Sequence, residues 1–284
     1  MLTAVQIEEY REQGYLSVPA VLSETEVLRL REVTDAFVEK SRGVSEHTDV
    51  FDLEPGHSPE DPKLRRLKDP VVQHEVYRAA LHHDRILRIV SQLIGYGLRY
   101  NGTKLNMKQP GYGSPVEWHQ DWAFYPHTND DLLAVGVAID DITDENGPLM
   151  VIPGSHKGPV YDHHQDGRFC GAVTDSEFSA EDAVPVRVKA GGISIHHVRI
   201  LHGSVANVSP LPRRLLLFMF CAIDAWPLKG ILDYEAFNDT IVRGEPLNVP
   251  RLTDVPVRMP LPPPEKSGSI YESQTVLKTS TFRP

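Results

Sequence analysis

The tripeptide His-x-Asp occurs four times in this chain, as His47-Thr48-Asp49, His82-His83-Asp84, His119-Gln120-Asp121 and His164-Gln165-Asp166. An imidazole and a carboxylate two residues apart are two of the three donors that a mononuclear iron(II) centre takes on one face. A second imidazole from elsewhere completes the set and leaves positions open for further ligands and dioxygen. The tripeptide alone is weak evidence, so the local backbone has to choose among the copies.

Side chains at i and i+2 of a strand point to one face, whereas in a helix they diverge. His82 and Asp84 lie in a helical pattern and are excluded on that ground. His47/Asp49 and His164/Asp166 fall in polar, turn-like sequence that offers no rigid scaffold. Only His119/Asp121 lies in a strand-like run, PVEWHQDW. The distant imidazole has four candidates, His156, His196, His197 and His202. His202 opens His-Gly-Ser just after a β-rich run, and Arg213 follows 11 residues on (213 − 202). A hairpin of that length would bring a guanidinium back beside the metal. Arg214 adjoins it, and strand alternation sends one of the two outward; spacing favours Arg213 inside.

The elements that must carry these groups read as follows. Residues 3–13 form a short helix ending near Gly14, and YLSVPAVL alternates like a strand until Pro19. Ser23 and Glu26 fit a capping box that opens an amphipathic helix with Val27, Leu28, Leu30, Val33 and Phe37 expected on one buried stripe. Residues 41–70 lack periodicity and are expected to form a long loop or lid. Helical patterning resumes from Val71 to Ile94, with Asp84 as an N-cap within it and Gly95 as a stop. From Leu98 onward short β-rich runs separated by turns (Asn146-Gly147-Pro148, Pro153-Gly154, Gly191-Gly192) predict a sandwich or jelly roll. A single domain over 1–284 is expected, with a helical part (1–97), a jelly-roll core (98–226) and a C-terminal extension (227–284).

Hydrophobic residues make up 40% and charged residues 24% of the chain, the balance of a protein with a sizeable core. The formal charge of −10 disfavours a nucleic-acid partner. The basic cluster Lys63-Leu-Arg65-Arg66-Leu-Lys68 reads as a solvated stretch ahead of a helix, and otherwise as a contact for an anionic substrate handle. Two cysteines, no apolar signal core and no long apolar run point to a cytoplasmic protein without a membrane span. Oligomeric state is not set by the sequence. The segment PGSH (153–156) reads as a bracing turn with a structural His156; His196 and His197 read as a core and a rim histidine. Trp118, Trp122, Phe124 and Tyr125 are candidates for an apolar substrate pocket or for core.

The ordered motifs His119-x-Asp121, Asp144-Glu-Asn-Gly-Pro-Leu-Met-Val-Ile-Pro-Gly-Ser-His156 and His202-Gly-Ser204 with Arg213 resemble the phytanoyl-CoA dioxygenase family of iron(II)/2-oxoglutarate oxygenases. The opening YREQGYLSVPAVLSETEV resembles that family too, and the likeness covers roughly residues 5–225. It implies a double-stranded β-helix (jelly roll) with N-terminal helices packed on one face. It also implies iron held by His119, Asp121 and His202, and 2-oxoglutarate bound by Arg213 and Ser204. Asn106 stands where related ectoine hydroxylases place an Asn on 2-oxoglutarate, and Lys104, on the same strand face, is a further candidate. The implied reaction consumes O2 and 2-oxoglutarate, releases succinate and CO2, and hydroxylates an unactivated C–H bond of a small organic metabolite. Related halogenases carry Gly or Ala in place of the carboxylate, so Asp121 argues for oxygen insertion. Where many relatives carry Trp, this chain has Gly136, expected to enlarge the cavity. The rival readings are a cupin-type metalloenzyme that does not use 2-oxoglutarate and a non-catalytic jelly-roll binding protein.

Overall fold

The computed structural model describes residues 1–111, 113–264 and 268–282. Thr3 and Gln6 cap α1 (Ala4–Gln13) reciprocally, and Gly14, at φ 77°, ends it in the left-handed conformation that favours glycine. After β1 (Tyr15–Val18), the Ser23–Glu26 capping box opens α2 (Glu24–Lys40), which buries Val27, Leu30 and Phe37. Three helices follow where the pattern divides once, at Asp84: α3 (Pro70–Gln73), α4 (Glu75–Leu81) and α5 (Asp84–Ile94). The break at His74 arises because its backbone is extended and its ring accepts the Val76 N–H, capping α4. Asp84 is the first residue of α5 rather than its cap, a place occupied by His83.

The segment read as a loop contains β2 (Phe51–Leu53) and β3 (Leu64–Lys68), which pair with each other. The chain continues through β4 (Leu98–Lys108), β5 (Val116–His119), β6 (Leu132–Ala138) and β7 (Leu149–Val151). A small hairpin, β8 (His164–Gln165) with β9 (Arg168–Phe169), precedes β10 (Val184–Val186). Then come β11 (Ile193–His197), β12 (His202–Ser204) and β13 (Arg213–Ala222). The tail adds α6 (Tyr234–Asp239), β14 (Ile241–Arg243) and α7 (Ile270–Ser273).

These strands form two antiparallel sheets besides the hairpin. The larger has eight strands in the order β1-β11-β6-β13-β4-β3-β2, with β14 also on β4; the smaller has four, β10-β7-β12-β5. The larger sheet packs α1 to α5 on its outer face, where Leu30, Tyr77, Ile86, Val90 and Phe218 share one core. Its inner face meets the smaller sheet through Ala138, Leu215 and Leu217 against Val151 and Val186. The N-terminal part is therefore not purely helical, since β1, β2 and β3 extend the larger sheet. The run SVANVS is not a strand; it turns around Asn207, whose amide donates to the Lys108 and Leu211 carbonyls.

The reason β3 escapes a reading by alternation is visible in its packing. Leu64 and Leu67 are fully buried, but they are separated by two arginines, so the run looks solvated. Pairing with β4, with Arg66 opposite Asn106 and Lys68 opposite Lys104, supplies the missing partner surface. Leu67→Ala should therefore destabilise the protein by about 2–5 kcal/mol, as for a buried leucine. Urea unfolding measures this, and a change within about 0.5 kcal/mol would match a solvated loop instead.

Candidate metal centre

β5 and β12 are neighbours in the smaller sheet, and His119 and His202 are directly opposite one another across that pair. Their rings lie 4.0 Å apart between centroids. β5 ends at His119, and Asp121 begins a short 3₁₀ turn, but Gln120 keeps an extended backbone (φ −118°, ψ 125°). The two flanking side chains therefore project to the same side, as the strand argument requires, although the strand itself has stopped. His119 Nε2 stands 3.9 Å from Asp121 Oδ1, and His202 Nε2 stands 3.9 Å from Asp121 Oδ2. All three side chains are buried, and their ligand atoms lie within 4.8 Å of one another.

Each of these imidazoles is held in one tautomer by its own backbone. His119 Nδ1 is 2.8 Å from the Glu117 carbonyl and His202 Nδ1 is 3.0 Å from the Ile200 carbonyl. A carbonyl only accepts, so Nδ1 carries the hydrogen and Nε2 presents a lone pair toward Asp121. Burial pushes His119 down to about 4 and His202 well below its ordinary range, keeping both neutral and fit to ligate. Burial alone would raise the Asp121 carboxyl. The His196 ring facing it at 3.6 Å and the Lys104 ammonium nevertheless hold it well below the usual carboxylate range. Two neutral imidazoles and a carboxylate turned inward fit iron(II).

The other three His-x-Asp copies are brought to no such centre. His82 and Asp84 straddle the α4–α5 junction. His164 bonds to Asp162 and the Leu261 carbonyl, while Asp166 caps a tight turn. His47 has moved into contact with Asp52 and Glu272 instead of Asp49. Asp52 is already paired with Arg65, and His47 Nδ1 accepts the Leu53 N–H.

The cavity above the three ligands is lined by Lys104, Asn106, Ser204 and Arg213, so every residue expected at the cosubstrate faces the same space. Arg213 gets there by a different route from the one expected. β12 and β13 belong to different sheets, so the connection is a crossing between sheets and not a hairpin. Arg213 is buried, and its Nε and Nη2 both donate to the Gly147 carbonyl at 3.1 and 2.8 Å. Gly147 itself has φ 82°, and a Cβ there would meet Lys108 Cδ at 2.6 Å, so only glycine presents that carbonyl without strain. Among the described residues Arg213 has no carboxylate partner. Burial pushes it down to about 10, still charged at neutral pH. A buried guanidinium aimed into a cavity and lacking an anion suits the far carboxylate of 2-oxoglutarate.

Arg214 faces outward, as expected, but it is clamped by Asp140 and Asp35 rather than free in solvent. Gly136 does not enlarge the cavity. A Cβ there would lie 2.7 Å from Ser194 Oγ and 2.9 Å from Leu215 Cδ1, so those side chains already occupy the space. His156 braces α1 through the Arg11 carbonyl, and its neighbour Ser155 accepts the Leu201 N–H just ahead of His202. Phe124 and Tyr125 line the cavity mouth, whereas Trp118 and Trp122 are packed elsewhere. His196 is more than a core histidine. It is buried on β11, 3.6 Å from Asp121 Oδ2, and faces the metal side with Ser194. Alternation with Ile193 and Ile195, both in the outer core, was the available signal.

Four buried histidines share a depressed affinity for protons: His119 and His127 near 4, His163 and His197 near 3, each chiefly through burial. In the unfolded chain they titrate near 6.5. The unfolded state therefore binds more protons below that pH, and their contribution, complete above 6.5, is lost as pH falls toward 4. The denaturation midpoint of metal-free protein should drop steadily between pH 7 and 4; a flat profile would contradict this burial.

With that geometry in hand, the chain can be set beside known proteins. The model of the phytanoyl-CoA dioxygenase (PhyH) family matches residues 10–215. A probable alpha-ketoglutarate-dependent hypophosphite dioxygenase of Stutzerimonas stutzeri is 34% identical, over 96% of this chain and 98% of its own. The L-proline trans-4-hydroxylase of Streptomyces griseoviridis is 31% identical, over 77% of this chain and 86% of its own. The solved epimerase SnoN, in complex with Fe3+, alpha ketoglutarate and nogalamycin RO, superposes with a TM-score of 0.63 at 25% identity, covering 86% of this chain and 94% of that one. The chain belongs to the phytanoyl-CoA dioxygenase family and is an iron(II)- and 2-oxoglutarate-dependent dioxygenase.

Proposed function

We propose that His119, Asp121 and His202 hold the iron, that Arg213 and Ser204 bind the distal carboxylate of 2-oxoglutarate, and that Asn106 contacts the same cosubstrate. The observation that carries this reading is one cavity shared by the three ligands and a buried guanidinium with no anion of its own. Lys104 lies on the Asn106 face of β4 at the outer end of the cavity, bordering both the space over the three ligands and the mouth outside it. The two sheets form the double-stranded β-helix of this family, and the whole chain acts as one oxygenase domain, cytoplasmic in location. No described helix is long and apolar enough to cross a membrane.

With iron, 2-oxoglutarate and O2 bound, such a site couples decarboxylation of the cosubstrate to oxygen insertion: R–H, 2-oxoglutarate and O2 give R–OH, succinate and CO2. The protein's own contribution is positional. The Glu117 and Ile200 carbonyls hold the ligating imidazoles by their N–H groups, so no ring rotation is needed when metal enters. The Gly147 carbonyl aims Arg213. Leu215, Leu217, Met219 and Ile270 wall the cavity with apolar surface that keeps water away from the reacting centre. A small organic metabolite, hydroxylated at an unactivated C–H bond, fits a cavity this enclosed. Hypophosphite, the substrate named for one relative, belongs in the first panel of compounds tested.

Asp121→Ala should abolish substrate-coupled succinate formation, and full retention of activity would end the assignment. Arg213→Gln should raise the KM for 2-oxoglutarate by roughly tenfold or more, the cost of a charge-assisted hydrogen bond. It should leave metal affinity, followed by cobalt(II) absorption, close to wild type.

A further inference from the structure

Lys104 lines both the inner cavity at Asp121 and the wider mouth outside it, a space of about 340 Å³. Arg66 lines the same mouth. It comes from the basic run on β3, which pairing with β4 turns inward instead of leaving in solvent. Arg66 uses only its Nε, donating to Asn106 Oδ1 at 3.1 Å, and its guanidinium lies against the Tyr271 ring. Among the described residues neither Arg66 nor Lys104 has an ion-pair partner. The described carboxylates lining these spaces are Asp121, which faces the metal side, and Asp69 on the far rim; Asp52 and Glu272 act on Arg66 through space, Asp52 being already paired with Arg65. Lys68 is engaged with the Thr48 carbonyl, and Lys229 stands at the outer edge.

Charge balance gives these two cations a purpose. Iron(II) with Asp121, two neutral imidazoles and dianionic 2-oxoglutarate carries one net negative charge, and Arg213 cancels it. Among the described residues Lys104 and Arg66 are then left without an ion-pair partner in a half-buried space, an arrangement that favours an incoming anion. Lysine as a compact charge and arginine as a planar fork together suit an oxyanion head that offers several acceptor oxygens. Because Lys104 also borders Asp121, the bond to be oxidised must lie only a few atoms from that head.

We propose that Arg66 and Lys104 form the substrate's anion site, and that the primary substrate is a small oxyanion of the phosphonate or phosphinate type. This rests on the oxygenase reading and assigns Lys104 to substrate rather than to 2-oxoglutarate. The interior cations also explain how a chain with a formal charge of −10 can select an anion.

The test is calorimetric titration of methylphosphonate into enzyme loaded with manganese(II) and 2-oxoglutarate, which does not turn over. Wild type should bind it saturably. Lys104→Met and Arg66→Gln should each weaken binding by roughly ten- to a hundredfold, the loss of one charge-assisted contact. Affinity for 2-oxoglutarate should fall far less than affinity for methylphosphonate in both variants, and Arg66→Lys should recover part of the loss. No binding by wild type, or equal binding by all variants, overturns the proposal; so does Lys104→Met loosening 2-oxoglutarate while sparing methylphosphonate. If wild type fails to bind 2-oxoglutarate with metal, the oxygenase reading falls instead. The same titration on the metal-free chain then decides whether the cation pair holds an anion.

Discussion

The site depends on one cross-strand pair. His119 on β5 and His202 on β12 are register partners, and antiparallel pairing puts such side chains on a common face within contact distance. Everything else in the metal centre is adjusted to that pair. The extended Gln120 returns Asp121 to the same side, and backbone carbonyls two residues upstream fix both ring tautomers. The same Nδ1-to-carbonyl contact recurs at His127 and His163, which join no ligand set among the described residues. The contact is therefore a local habit of these histidines, and the pairing of β5 with β12 is what brings two of them together as candidate metal ligands.

The cavity is a place where burial and charge are set against each other. Desolvation weakens the charged forms of Lys104, Arg66 and Arg213 alike, yet all three face the interior. Side chains of that kind are retained when something of opposite sign arrives to pair with them. The backbone follows the same plan. Gly203 lets β12 approach β5, since a Cβ there would meet the Val116 carbonyl at 2.9 Å, and Gly147 delivers its carbonyl to Arg213. Both glycines occur in motifs whose charged neighbours attract more notice.

Alternation and turn residues were enough to read β4 and β13 almost to the residue, and the Ser23–Glu26 capping box, because these are decided locally; the reciprocal Thr3–Gln6 cap of α1 was not read. The His119/Asp121 pair was legible for the same reason. What could not be read depended on distant partners. β3 looks solvated until β4 is beside it, and Arg66 acquires its inward direction only from that pairing. The step from His202 to Arg213 has the length of a hairpin, but the two residues end in different sheets. Gly136 suggested open space, yet Leu215 from a neighbouring strand fills it. Residue spacing reports chain distance, and in each of these cases the outcome was fixed by which strand lay alongside.

The tail carries a consequence for how such a protein can change. Ile270 walls the inner cavity, and Leu261, Ser269 and Ser273 border its mouth. This segment is strapped down by the buried Glu117 carboxylate, which accepts the Thr281 and Phe282 N–H groups, and by Gln274. It lies beyond residue 215, where the family match ends. The anchor for the strap sits on β5 two residues before the candidate ligand His119, while part of the surface that greets a visitor belongs to the strap itself, beside Arg66 and Lys104. Selectivity can thus drift in the last sixty or so residues while the oxidative machinery stays untouched, a separation between what the enzyme can do and whom it does it to.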